Sequence, residues 1–220
     1  DVWRRRCGGV FSFVADLLFP GTCLSCDRGL SAPGDDFFRA LPGGWPEAAP
    51  EFFRTDFFHA VLGPLKVPAR ILCEDCWLSL VPAEDGFRLR GHPPIPVISP
   101  FLTGPALLEV IRFLKFRGGR SAVQPLSWWL AFSLRRHLEA EGGNGAPDPV
   151  LVPVPLFHSR LAERGYNQAD LLARRTAGLL GLEYSPRALR RTRNTRPQSK
   201  LEGPQRAGNV RGAFEAEPAA

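Results

Sequence analysis

The sequence predicts an α/β domain, a parallel sheet with flanking helices, preceded by a small four-cysteine module. Three observations predict it. Four of the five cysteines form two Cys-x-x-Cys pairs, Cys23/Cys26 and Cys73/Cys76. Apolar residues recur at helical spacing in three later stretches. The run Val150-Leu151-Val152-Pro153-Val154-Pro155 suits a strand buried on both faces of a parallel sheet, although Pro153 conflicts with a central position unless pairing ends there and the chain turns into a loop. At 220 residues the chain has room for one large domain, or for one ordinary domain with a small module. The boundary is expected near residue 94, dividing 1–94 from 95–220.

The N-terminal stretch imitates a secretion signal, with Trp3-Arg4-Arg5-Arg6 ahead of the apolar residues Val10 to Phe19. Asp16 interrupts that run, and Pro20-Gly21-Thr22-Cys23 follows where a cleavage site would need small residues. The run is also shorter than the roughly 20 residues a bilayer requires. Phe11, Val14, Leu17 and Leu18 instead recur as one face of an amphipathic helix. A cytoplasmic location without a transmembrane segment is expected. Methionine is absent even at position 1, so an incomplete translation product is expected.

A two-residue spacer lets both thiolates of a pair converge on one ion while turn amides face the sulfurs. Two such pairs close a tetrahedral shell, leaving no position for water, as in a structural zinc site. Iron would accept the same donors. Disulfides would require an oxidising compartment, and a redox Cys-x-x-Cys would explain one pair but not both. Cys7 is left as a free thiol. The 46 residues between the pairs, 27–72, carry Phe37-Phe38, Phe52-Phe53 and Phe57-Phe58, with Pro42, Pro46 and Pro50 against any long helix. They read as an irregular insertion whose phenylalanines pack on the main body, or alternatively as an interaction patch.

Ile95 to Phe101 is punctuated by Pro96 and Pro100 and reads as an edge strand at best. Pro105 suits a helix start, Leu107, Leu108, Ile111 and Leu114 form its stripe, and Gly118 suits the C′ position. Ser121 is expected to cap a second helix, striped by Leu126, Leu130, Leu134 and Leu138, ending near Glu141 before Gly142-Gly143-Asn144-Gly145. After the Val150 run comes a loop, Leu156 to Tyr166. Asn167 is the expected N-cap of a third helix, with Asp170 in a capping box and Gly181 as the stop. A strand near Ala188 to Thr192 would complete a βαβ unit.

Net charge is +6. Residues Arg187 to Arg211 hold eight basic side chains and the single acid Glu202, so this stretch alone exceeds the charge of the whole chain. Pro197, Gly203, Pro204 and Gly208 predict a loop there. Guanidinium groups could close over a polyphosphate or track a nucleic-acid backbone; the alternative is a solvated basic loop.

These pieces resemble the ComF family: the cysteine pairs, Phe113-Leu114-Lys115-Phe116-Arg117-Gly118, Val152-Pro153-Val154-Pro155-Leu156, and Arg164-Gly165-Tyr166-Asn167-Gln168. Arg191, Thr195, Gln198, Leu201, Arg206, Asn209, Val210 and Phe214 continue the pattern in register. The resemblance implies a zinc-ribbon-like module ahead of a phosphoribosyltransferase-like fold, and association with competence proteins, single-stranded DNA and DNA uptake. It implies that Arg164, Gly165, Asn167 and Gln168 meet the pyrophosphate of Mg2+-phosphoribosyl pyrophosphate, and that Lys200 and Arg206 close over it. Arg190, Arg191, Arg193, Arg196 and Arg211 are further candidates for phosphate or nucleic-acid contact. His158 is read as a surface histidine rather than a general base. The family's next strand ends in two acids and a Thr-Thr-Gly turn that cradles ribose 5-phosphate. No such motif occurs here, and the chain is expected to stop short of it. If the complete protein is an enzyme, its reaction class is ribosyl transfer; the rival reading is a non-catalytic DNA-binding or adaptor protein.

Overall fold

The computed structural model describes residues 22–28, 30, 71–83, 88–89, 95–141 and 149–217. The expected N-terminal helix, Cys7, the phenylalanine pairs and the glycine break at 142–145 lie outside the described residues. The chain divides into two compact units, Asp1–Glu84 with Phe101–Phe113, and Asp85–Pro100 with Leu114–Ala220.

In the first unit the described residues comprise the two cysteine turns, a short helix α1 (Glu74–Leu78) and most of α2 (Pro105–Phe116). Leu30, Ile71, Leu72, Leu80, Phe101, Ala106 and Val110 are buried and form its core. The chain after α1 runs antiparallel to the start of the next segment, through a bridge between Pro82 and Phe101 and a Leu102 N–H bond to the Val81 carbonyl at 2.8 Å. The expected edge strand Ile95–Phe101 is paired only at its ends, Ile95–Pro96 (β2) antiparallel to β1 (Arg88–Leu89) and Phe101 in this separate bridge.

The second unit is built on helices. α2 stops at Phe116, and Gly118 adopts φ 68°, the left-handed value expected of a helix stop. Ser121 does not cap the next helix. It lies inside a single 3-10 turn, Arg120–Ala122, that leads directly into α3 (Val123–Glu141). Then come α4 (His158–Arg164) and α5 (Gln168–Leu180). Asn167 caps α5 as expected, its Oδ1 accepting the Ala169 N–H at 3.1 Å, and Gly181 ends it at φ 68°. Asp170 does not complete a capping box; it accepts a hydrogen bond from the Tyr184 hydroxyl instead. That contact and the burial of the ring push the Tyr184 phenol up to about 12, burial contributing most.

Helices α3 and α5 pack on each other. Small side chains allow it: Ser127, Ala131, Thr176 and Ala177 are all buried, and the Thr176 hydroxyl donates to the Ser127 carbonyl at 3.4 Å.

The strand region departs from expectation. Leu151 forms one parallel bridge with Tyr184, its N–H bonding the Glu183 carbonyl at 2.8 Å and its carbonyl accepting the Ser185 N–H at 3.0 Å. Among the described residues parallel pairing goes no further. Pro153 and Pro155 have no N–H to offer a ladder, and Val150, Val152 and Val154 are 45%, 40% and 56% exposed. A strand covered on both faces is therefore not what the described residues build. β3 (Leu189–Arg191) pairs antiparallel with β4 (Phe214–Ala216), not with the Leu151 segment.

The basic stretch between those strands is not the irregular loop expected. It holds a 3-10 turn, Gln198–Lys200, and helix α6 (Gly203–Val210). Gly203 and Pro204 look like loop residues. Proline is nevertheless well suited to a first helical turn, where its missing N–H costs nothing. A capping box between Glu202 and Gln205 fixes the start.

Candidate metal centre and phosphate-binding turn

The Cys23–Cys26 turn is closed by a bond from the Asp27 N–H to the Cys23 carbonyl at 3.0 Å, with Asp27 at φ 57°. Such a φ is tolerated by aspartate better than by most residues. The Cys23 N–H bonds the Arg28 carbonyl, and the Leu24 N–H reaches the Ile71 carbonyl at 2.9 Å, which holds the first pair against the segment leading to the second. Cys73 is the N-cap of α1, so Cys76 falls in its first turn. Arg28 and Asp75 form an exposed ion pair across the two turns.

The result brings the sulfurs of Cys23, Cys26, Cys73 and Cys76 within 4.8 Å of one another. Cys26 Sγ and Cys73 Sγ are 3.6 Å apart. Thiolates bound tetrahedrally at about 2.3 Å from zinc would be separated by roughly 3.8 Å, so donor set and spacing both fit such an ion. The Ser25 N–H faces the Cys23 sulfur at 3.5 Å. Burial raises the Cys23 thiol, but the amides of this turn and of Cys73 outweigh it and bring it down to about 7. Burial pushes Cys76 up to about 12 and raises Cys73 as well. Loading a metal must therefore expel protons from these sites.

The second candidate site is the turn joining α4 to α5. Arg164 ends α4, and Gly165 takes φ 75°, its N–H bonding the Leu161 carbonyl. The Arg164 guanidinium donates to Gln168 Oε1 at 2.5 Å and lies 5.3 Å from the centre of the Phe116 ring. Tyr166 is buried; its hydroxyl donates to the Leu114 carbonyl. Arg120 lies over the Tyr166 ring at 4.7 Å and reaches the Gly165 carbonyl at 3.4 Å. Asn167 Nδ2 bonds the Val154 carbonyl at 3.0 Å, tying the turn to the end of the extended Leu151–Pro155 segment. Replacing Asn167 by alanine removes both bonds of its side chain. The expected cost is about 1–2 kcal/mol, measurable by urea denaturation; an unchanged midpoint would refute the tie.

The predicted cations fall into two groups. Several are engaged with the fold. Arg190 pairs across the strands with Glu215 at 2.7 Å and Glu217 at 2.5 Å. Arg193 donates to the carbonyls of Asn209 and Arg211, and Arg206 Nε to that of Leu201 at 2.9 Å. Asn209 ties back to the carbonyl of Arg196 and the side chain of Gln198. Arg196, Lys200 and Arg211 are exposed.

Arg191 stands apart: it bonds Thr195 Oγ1 at 2.5 Å and lies over Phe214 at 5.2 Å. Burial, with the nearby charge of Arg160, lowers its pKa. Arg160 itself pairs with Glu163 at 2.8 Å. Asn194 reaches Ser159 Oγ at 3.4 Å, so the basic excursion is anchored on α4. His158 is exposed, beside Phe157. Sequence reasoning did not single out Arg120, Arg160 or Asn194. Only their approach in space reveals them, although Arg120 stands two residues after the Phe113–Gly118 motif.

Among the described residues no helix is long and apolar enough to cross a membrane. No family model matches the chain. No solved structure matches it either. It is 38% identical over 65 residues to competence protein F of Haemophilus influenzae, covering 30% of this chain and 28% of that protein. It is 34% identical over 113 residues to the DNA utilization protein YhgH of Escherichia coli strain K12, covering 51% of this chain and 49% of that one. The YhgH protein of Salmonella typhi is 31% identical over 160 residues, covering 66% of this chain and 65% of the relative. The chain thus spans between 28% and 65% of the length of these relatives. The order of its motifs and these similarities, to competence protein F and to the YhgH proteins, together support the resemblance to the ComF family.

Proposed function

We propose that this chain belongs to a protein serving DNA uptake or utilisation, and that its second unit binds phosphoribosyl pyrophosphate with Mg2+ through a phosphoribosyltransferase-like site. The names of its relatives support the first part. One observation carries the second: the turn Arg164–Gln168 is seated by Asn167 on the end of the Leu151–Pro155 segment, with the basic excursion anchored beside it through Asn194 and Ser159. Ligands of open α/β folds collect outside the carboxyl ends of strands. In this reading Arg164 and the amides of its turn hold the pyrophosphate, while Lys200 and Arg206 supply closing charge. Mg2+ would neutralise the same oxygens when bound. The four cysteines hold zinc and organise the first unit, which is a structural task.

Calorimetric titration of the full chain with Mg2+ and phosphoribosyl pyrophosphate is expected to show binding that inorganic pyrophosphate displaces. Arg164→Ala or Arg206→Ala should weaken it by about tenfold or more, the loss of one charge-assisted hydrogen bond. Absence of heat with either ligand would refute the site.

A second reading is a DNA-binding protein without catalysis. It is favoured by Arg196, Lys200 and Arg211, which the basic excursion leaves exposed. Salt-dependent binding of single-stranded DNA that phosphoribosyl pyrophosphate does not alter would support it.

A further inference from the structure

The motif Lys115-Phe116-Arg117-Gly118 has no part in the metal centre or in pyrophosphate binding as argued above. Yet it carries an unusual arrangement. Phe116 ends α2 and is 73% exposed, the most exposed large apolar side chain described. The left-handed turn at Gly118 stops the helix there, which leaves the ring at its tip. Burying such a ring would favour folding, and packing has left it in water.

The surroundings of the ring are cationic. Arg164 lies over it at 5.3 Å and is held in place by Gln168. Lys115 and Arg117 flank it in sequence, and Arg120 lies on the adjacent Tyr166 ring. No acid occurs from Leu114 to Ser121. The nearest acids along the α4–α5 connection are engaged elsewhere, Glu163 with Arg160 and Asp170 with Tyr184. An exposed aromatic face framed by guanidinium groups matches one ligand chemistry closely. A nucleobase stacks on the ring, while the phosphates of its own strand meet the arginines. A duplex would supply the phosphates but keep its base faces stacked on each other.

We infer that Phe116 is a base-stacking platform for single-stranded nucleic acid, with Arg120 and Arg164 as the cations along the strand. This deepens the DNA-handling reading above by naming where a strand is held; it does not depend on phosphoribosyl pyrophosphate.

The test is fluorescence anisotropy of the full chain with a labelled oligothymidylate of about 15 nucleotides. Phe116→Ala is expected to weaken binding by about tenfold or more, the usual loss for one stacked base. Because the ring is exposed, its circular dichroism and melting should match the wild type. Phe116→Trp should retain affinity within about twofold and add indole quenching on binding, which a merely structural residue would not produce.

An abasic strand of the same length and charge should bind the wild type no better than oligothymidylate binds Phe116→Ala. Free thymidine monophosphate should compete only weakly, which separates a strand site from a nucleotide pocket. Equal affinity of wild type and Phe116→Ala for oligothymidylate would overturn the platform while leaving DNA handling intact. Equal binding of the abasic strand by the wild type would do the same. No binding of single-stranded DNA by the wild type would overturn both.

Discussion

Replacing Cys73 by serine is expected to strip the metal from the chain and unfold its first unit. The wild-type protein should carry about one zinc per chain, because four thiolates within 4.8 Å make one closed tetrahedral site. Zinc binding at such sites supplies on the order of 10 kcal/mol of folding free energy near neutral pH. Losing one of four ligands, and the N-cap residue of α1 with it, removes a large part of that. Among the described residues, few buried side chains surround the cysteine turns.

A fall in melting temperature of roughly 10 °C or more should accompany loss of metal by elemental analysis. A chelator should reproduce it in the wild type. Acidification acts in the same direction. The bound form needs thiolates, and burial already raises Cys73 and Cys76, so protons compete with the ion more strongly as pH falls. A metal-free wild-type sample that melts where the loaded protein does would refute the structural role.

Tyr166→Ala should be the most damaging single change in the second unit. The ring is only 8% exposed and lies beneath the Arg120 guanidinium. Its hydroxyl satisfies the Leu114 carbonyl, one of the four that a helix end leaves without an internal partner. Truncation to alanine opens a cavity and orphans that carbonyl together. A loss of about 3–5 kcal/mol is expected.

Tyr166→Phe isolates the hydrogen bond and should cost about 1–2 kcal/mol. Urea denaturation separates the two variants. A Tyr166→Ala protein within about 1 kcal/mol of the wild type would show that the ring does not hold the turn in place. The variant should also weaken phosphoribosyl pyrophosphate binding, since Arg164 and Asn167 flank the lost anchor.

Local chemistry made much of this legible. The cysteine pairs announced a metal site because thiolate geometry allows a two-residue spacer few other uses. Helices α2, α3 and α5 could be read from their apolar stripes, and the stops at Gly118 and Gly181 from the backbone freedom that their positive φ demands. Asn167 was recognisable as a cap for the same local reason. Proline misled once, and apolarity once. Pro204 reads as a loop residue until the Glu202–Gln205 box shows it opening α6. The apolar Val150–Pro155 run looks like a central strand, yet strand pairing depends on a neighbour, and its described neighbour meets it only at Leu151.

The donor set of the candidate metal centre, the placement of the main helices and the concentration of positive charge between Arg187 and Arg211 are legible in the chain alone. Those properties depend on residue types and short spacings. Only the tertiary structure decided what the charges do. It spends Arg190 on Glu215 and Glu217, sets Arg191 near Arg160, and lays Arg164 against an exposed Phe116. Guanidinium groups are alike in sequence; partners 25 or more residues away make Arg190 a stitch between strands, while Arg164 is left beside an exposed ring.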